Sequence, residues 1–493
     1  MKACLRKYPL LLSLLLAACG GGSGGSEGTQ VRVSPDNVVA TAKTTGIAPR
    51  SRLDVSVDHR PGRTISPFVE YTTAGIARVQ VVFTSETSGR VSIFFQDPDL
   101  LGPGTYADRL TLKICYDAAC SEQTVGSPRQ IEVSYTVTGA AAPPPEADIA
   151  DTAAPADGGS AAVTQLPMAD HNVVDAAYSK SLEAVVMVST QPANALYVYD
   201  TASDTERMLA LSGPPTALSL SPDGRTAAIL LDGSSLAYAE LTASGDLAAA
   251  RMQPLSVLAS DLMLGANRIV HLLPAPFAFG GFITSINLDT AVPHFSEGGV
   301  PNDMQGVLHP AGNAIYAMPP LAAPGDILKY ELTDNGARKL YESADDGAHP
   351  GCGNLWLSAG GNRIYSACGN VFRASDYRVN DLSYMGRIAL FGPTGGIQSL
   401  SDSTAAGEIA LVETRFEGCY RAPLAECSSR INLYDRGTLA PAGSYALRAG
   451  DIGGFVFHDS DGDRLYVVAR VYADPSLPPA GPANLLLKLS KEP

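Results

Sequence analysis

The sequence predicts an all-β chain, with a seven-bladed β-propeller behind a smaller N-terminal β-sandwich. Three observations lead there. Of 493 residues 45% are apolar, only 17% are charged and 7% aromatic, with 48 Gly and 35 Pro; that balance suits turn-rich strands better than helices or disorder. A turn followed by an apolar run recurs seven times in the C-terminal two thirds. A spare strand stands before the first of these units, where it can complete the last.

The first nineteen residues read MKACLRKYPLLLSLLLAAC. Lys2, Arg6 and Lys7 precede a short apolar run, Leu10 to Leu16. A bilayer span takes about 20 residues, so this run reads as an export signal. Leu16-Ala17-Ala18-Cys19 closes it and resembles the lipobox of bacterial lipoproteins. The resemblance implies removal of residues 1–18, a diacylglycerol on the Cys19 thiol and anchoring in a membrane by acyl chains. In that family an Asp after the cysteine favours the inner membrane. Gly20 stands there instead, which implies the outer membrane, facing periplasm or cell surface. The other reading is a secretory peptide cut after Ala18. Residues 19–29 then form a Gly/Ser tether.

Residues 30–139 read as a small all-β domain. Alternating runs such as Leu53 to Val57, Val91 to Phe95 and Ile131 to Val137 are separated by Gly, Pro, Asp and Ser clusters, the spacing of an Ig-like sandwich. Gly102-Pro103-Gly104-Thr105-Tyr106 resembles the P-G-x-Y turn of bacterial Ig-like, BACON-type modules. Residues 140–159, rich in Pro and Ala, are a linker.

Residues 160–493 carry the repeat. Turn centres fall near Lys180, Asp223, Ala266, Ala311, Gly360, Ala405 and Asp461, in steps of 43, 43, 45, 49, 45 and 56 residues. A four-stranded blade takes about 40 to 50 residues. Each turn is followed by a further strand, beginning near Ala195, Leu236, Phe282, Ile327, Val371, Ile431 and Leu485. The chain ends before the last unit has an outer strand, and Ala161 to Pro167 can supply one, closing the ring. The segments Tyr197-Val198-Tyr199-Asp200-Thr201 and Ser221-Pro222-Asp223-Gly224-Arg225 resemble the YVTN and YncE-like family of seven-bladed propellers. That family includes envelope proteins and lactonase-like enzymes, so the resemblance implies a fold rather than one chemistry.

The formal net charge is −15, and −18 once residues 1–18 are removed. No run of basic residues counters it, so nucleic acid is not an expected partner. Beyond Cys4 and Cys19, six cysteines form three close pairs: Cys115 with Cys120, Cys352 with Cys368, and Cys419 with Cys427. Export makes them disulfides. Cys352 and Cys368 stand eight residues on either side of Gly360, which predicts a bridge across the fifth hairpin.

No Ser/His/Asp order, P-loop or dinucleotide fingerprint emerges, and Gly21-Gly22-Ser23-Gly24-Gly25, which matches the letters of a nucleophile elbow, lacks its strand-then-helix setting and reads as tether. Asp459-Ser460-Asp461-Gly462-Asp463 begins like a calcium loop, but Arg470 holds the twelfth position, so it reads as a solvated turn. The loops leading into each innermost strand converge on one mouth of the channel. They carry the candidate ligand-binding residues Asp170, His171, Asp261, Asn302, Asp303, His349 and Asp451. Phe277, Phe279 and Phe282 form a candidate contact patch. The first functional expectation is a non-enzymatic binding or scaffold module for an envelope protein or glycan, needing no cofactor. The alternative is a lactonase-like hydrolase holding a divalent cation such as calcium at the channel mouth.

Overall fold

The computed structural model describes residues 30–490 except 59–62, 86, 146, 150–161, 169, 246, 277–280, 320–324, 335, 344–348, 391–395, 415–428, 448–450 and 472–483. Cys19, Cys419, Cys427, Phe277 and Phe279 lie outside the described residues. The chain divides into two compact units, residues 1–141 and 142–493.

The first unit has eight strands: β1 (Val31–Ser34), β2 (Asn37–Lys43), β3 (Arg50–Val57), β4 (Ser66–Tyr71), β5 (Ile76–Phe83), β6 (Ser88–Phe95), β7 (Gly104–Cys115) and β8 (Arg129–Thr138). They form two sheets, ordered β1-β3-β6-β5 and β2-β8-β7-β4. One core fills the space between them, with Leu53, Val55, Val91 and Ile93 from one sheet and Leu110, Leu112, Val133 and Tyr135 from the other. Strand alternation does this: a period of two sends every second side chain inward. Beyond β7, Cys115 and Cys120 are joined, with Cα atoms 5.0 Å apart. The Asp117 carboxylate inside that bend accepts N–H bonds from Ser121 and Glu122, which hold its pKa below the usual carboxylate range.

The second unit is a β-propeller. Its described residues form seven four-stranded sheets. Six are built from four consecutive antiparallel strands. The seventh joins Asp451–His458, Arg464–Val471 and Asn484–Ser490 to β9 (Ala162–Leu166), so the start of the unit completes its end. Ring closure shows in the packing. Seven apolar clusters each straddle two successive sheets. One of them sets Tyr466, Val468 and Leu486 of the last sheet against Val185, Tyr197 and Tyr199 of the first. Each sheet is therefore covered on both faces. This explains why the second strands read as unbroken apolar runs: Ala184–Ser189 (AVVMVS) and Thr226–Leu231 (TAAILL) are buried at every position. The outer strand Thr205–Ala210 is largely exposed.

The hairpin turns fall where the sequence repeat puts them, as the pairs Ser179↔Ala184, Leu220↔Ala227 and His458↔Leu465 illustrate. In the Ser221 to Arg225 turn, Gly224 takes φ +69°, and a Cβ there would stand 2.5 Å from Ser179 Oγ. Only glycine suits that position. The fifth hairpin needs a small correction. Leu355 pairs with Ser366 and Trp356 with Tyr365, so its centre lies between Gly360 and Gly361. Cys352 and Cys368 are bridged, Cα atoms 5.9 Å apart, but beyond the end of the ladder and not as facing residues within it.

The segment read as a linker is partly fixed. Ile149 N–H donates to Met385 O at 2.7 Å, extending the outer strand of the fifth sheet. Arg373 Nη2 meets Asp148 Oδ1 at 2.6 Å, and Asn380 donates to Pro143 O at 2.7 Å. A free sheet edge exposes unpaired backbone groups, and this stretch covers one.

Candidate functional site

Seven innermost strands enclose a channel of about 860 Å³. Asp175, Leu218, Asp261, Val307, Trp356, Gln398 and Phe455 line it, one from each of those strands. An innermost strand has no partner on its channel side, so its N–H groups need other acceptors. Side chains of the neighbouring sheet supply them. Asp175 Oδ2 accepts from Leu218 N–H at 2.7 Å, and Asp261 Oδ2 from Gly306 N–H at 3.0 Å. Ser219 and Ser399 do the same for Leu264 and Val456.

A β-bulge places both carboxylates. The register shifts between Val173 and Asp175, and again between Ala259 and Asp261. A bulge re-aims the residue that follows it. Each aspartate also accepts the N–H of its own successor, Ala176 or Leu262, at 2.8 Å. Confinement by protein penalises the charged form, pushing Asp175 up to about 7 and Asp261 up to about 6. The Asp261 charge raises Asp175 further, and the Leu218 N–H opposes the rise.

The sign of the resulting pH dependence follows. The Asp175 carboxyl has an ordinary value of 3.8 and a folded value of about 7. Its contribution to stability is full below 3.8 and is lost as pH rises through about 7. From pH 5 to pH 8 the propeller is expected to lose about 2–3 kcal/mol that an Asp175→Asn variant keeps. Urea unfolding at the two pH values checks this. Parallel pH profiles for the two proteins would count against a raised Asp175.

The channel brings together only two of the seven residues expected at its mouth, Asp261 and Asp303. Asp170 is exposed just before the first innermost strand. His171 is fully buried and points elsewhere. Its Nε2 lies 2.8 Å from Glu206 Oε2, and its ring packs 4.0 Å from that of Tyr197. Asn302 is exposed in the connection before Gln305–Leu308 and does not line the channel. The His349 ring stacks on Tyr384 at 3.6 Å, over the outer strand of the fifth sheet. Asp451 is buried at the first position of its strand, and its carbonyl accepts the Ser429 N–H. Asp175 was missed by reading loops alone. The signal was present: counted back from the hairpin turn, Asp175 and Asp261 hold nearly the same place in their strands.

Among the described residues no group of three or more His, Cys, Asp or Glu side chains is close enough to hold a metal ion. The turn Asp459 to Asp463 is an ordinary hairpin end, with Asp459 accepting from Arg464 N–H at 3.2 Å.

No family model matches the chain, and no curated protein does. Among solved structures, the β-propeller domain of Myceliophteria thermophila Cps50 (Swd1) is similar over 67% of this chain and all of its own, with 11% identity and a TM-score of 0.49. Kuenenia stuttgartiensis hydrazine synthase is similar over 62% of this chain and 94% of its own, with 10% identity and a TM-score of 0.45. The ring itself rests on the strand order and the seven inter-sheet clusters.

Proposed function

We propose that this chain is a lipid-anchored cell-envelope protein, acylated at Cys19, in which an Ig-like sandwich precedes a seven-bladed propeller of the YVTN/YncE-like kind. The propeller acts as a non-enzymatic binding or scaffold module for an envelope protein or glycan. One observation carries the reading: several long connections stand out from an otherwise tightly turned ring. The turns joining first and second strands (180–183, 221–225, 265–268, 309–313, 358–362, 404–407 and 459–463) are all four or five residues long. At the opposite end, the connections between second and third strands reach 9 residues at 275–283 and 319–327, 15 at 415–429 and 12 at 472–483. Between third and fourth strands, at the first end, 241–250 and 374–383 are 10 residues each, and a rigid scaffold that carries long connections suits recognition. Phe282, 41% exposed, lies in one of them.

The rival reading, a metal-dependent hydrolase at the channel mouth, has less behind it. It needs converging ligands, and only Asp261 and Asp303 of its candidates line the channel.

In-cell crosslinking of the acylated protein, followed by affinity capture and mass spectrometry, tests the proposal against a Cys19→Ala control. The expected result is one envelope component recovered with the anchored form and absent from the control. Repeated captures without a specific component would end the scaffold reading.

A further inference from the structure

The charge of the chain is unevenly divided. Residues 30–141 hold eleven Lys and Arg against eleven Asp and Glu, while residues 142–493 hold 21 against 38. The sandwich is thus neutral as a whole, beside a strongly acidic propeller. Its basic residues are also sorted. On the outward face of sheet β1-β3-β6-β5 stand Arg32, Arg50, Arg52, Arg78 and Arg90, with Asp54 the one carboxylate within its four strands. Arg32, Arg50, Arg52 and Arg78 are exposed and Arg90 is half-buried.

These arginines come from four strands and are brought together only by pairing. Arg50 and Phe94 are partners, as are Arg78 and Phe94. Both guanidinium groups lie over the Phe94 ring, at 5.1 and 4.2 Å. Such stacking orients the planar forks while leaving their N–H groups for another acceptor. Asp54 answers only part of the charge, 3.5 Å from Arg52 and 3.9 Å from Arg90. At one end of the face a hollow of about 350 Å³ opens between Arg32 and Arg90, bordered by the hydroxyls of Ser34, Ser56, Thr84 and Ser88 and, on one side, by Asp54. Arg90 Nε, the atom 3.9 Å from the Asp54 carboxylate, is screened from water there and makes no hydrogen bond among the described residues. Guanidinium groups with hydroxyls around a shallow hollow match a phosphate.

We propose that this arginine face docks the sandwich onto a bilayer surface through the phosphates of anionic lipid headgroups. The choice of a bilayer rests on the Cys19 anchor proposed above. Eleven residues, 20–30, stand between that anchor and β1, and a Gly/Ser-rich chain of that length has a mean reach of roughly 18 Å. The first folded unit is then held next to headgroups, and its most basic face is the one that complements them. The surface potential attracts the face, and the hollow takes one phosphate.

The test uses the mature chain without its acyl group, residues 20–493, which keeps both folded units. Binding to phosphatidylglycerol vesicles and to phosphatidylcholine vesicles is measured by sedimentation at low and at physiological salt. Binding is expected only to the anionic vesicles and weaker at the higher salt. A variant with Arg50→Gln, Arg52→Gln, Arg78→Gln and Arg90→Gln should bind roughly 600-fold more weakly, since each basic residue near such a surface contributes about fivefold. A control variant, Arg109→Gln with Lys113→Gln on the other sheet, should bind as the parent does. Absence of binding to phosphatidylglycerol vesicles, equal losses in both variants, or inorganic phosphate displacing the protein at micromolar concentration would each overturn the proposal. The chain tested carries no acyl group, so these outcomes stand whether or not Cys19 is acylated in the cell.

Discussion

Replacing Asp381 with alanine is expected to destabilise the propeller by about 3–5 kcal/mol, the cost of leaving a buried charge unpaired. Asp381 lies in the bend that follows Asn370–Arg373, and its side chain is fully buried against Lys329 of the preceding sheet, Nζ to Oδ2 2.7 Å. The pair does not stand alone. Tyr316 donates to Asp381 Oδ1 at 3.2 Å, Tyr341 to Oδ2 at 3.0 Å and the Ser375 N–H to Oδ1 at 2.8 Å. Lys329 also donates to Ser375 O at 2.6 Å and lies 5.2 Å above the Tyr316 ring. Two sheets are therefore stapled through one carboxylate. With alanine at 381, the Lys329 ammonium keeps a single carbonyl in a site closed to water. The measurement is the urea midpoint of the propeller transition. Lys329→Met combined with Asp381→Leu should recover much of the loss, because no uncompensated charge then remains. A single variant as stable as the parent would show that water reaches Lys329.

The second large effect is expected in the other unit. Asp108 on β7 is buried, and its carboxylate gathers the chain that leads into β5. Oδ1 accepts from Thr72 Oγ1 at 2.6 Å and Ala74 N–H at 2.8 Å, and Oδ2 from Gly75 N–H at 2.6 Å and Ile76 N–H at 2.9 Å. Bonds to an ionised acceptor are stronger than neutral ones, and a buried N–H without an acceptor costs about 1–3 kcal/mol. Asp108→Ala should therefore destabilise the sandwich by about 4 kcal/mol or more, and Asp108→Asn, which keeps one acceptor oxygen, by about half as much. Hydrogen exchange at residues 74–76 reads the site directly. Protection that survives in the alanine variant would mean that other acceptors replace the carboxylate.

Parts of this architecture could be read from residues because they follow from local physics. A turn needs Gly, Asp or Asn at particular places, and a strand covered on both faces needs an apolar run. Both signals sit within about a dozen residues, so the seven hairpins and the closing strand Ala162–Leu166 stood out. The disulfide between Cys352 and Cys368 was legible for the same reason, although the turn centre was misplaced by half a residue. The channel was harder. His171 occupies a loop that leads to an innermost strand, yet Glu206 draws it into the first sheet's interior. No local pattern distinguishes it from Asp303, which does line the channel.

By itself the sequence determined where this chain turns, which runs are sandwiched and which cysteines lie close enough to join. Those depend on neighbours along the chain. Only the tertiary structure decided which polar groups meet. Asp175 reaches Leu218 of the next sheet, and Asp381 reaches Lys329 across a sheet boundary. The sequence shows no basic cluster, because its arginines are scattered from Arg32 to Arg90 among acidic and neutral residues. Strand register collects them: a period of two selects one side of each strand, and the order β1-β3-β6-β5 aligns those sides. A slip of one residue in any of the four would turn its arginines inward, so the charged face is a property of long-range pairing.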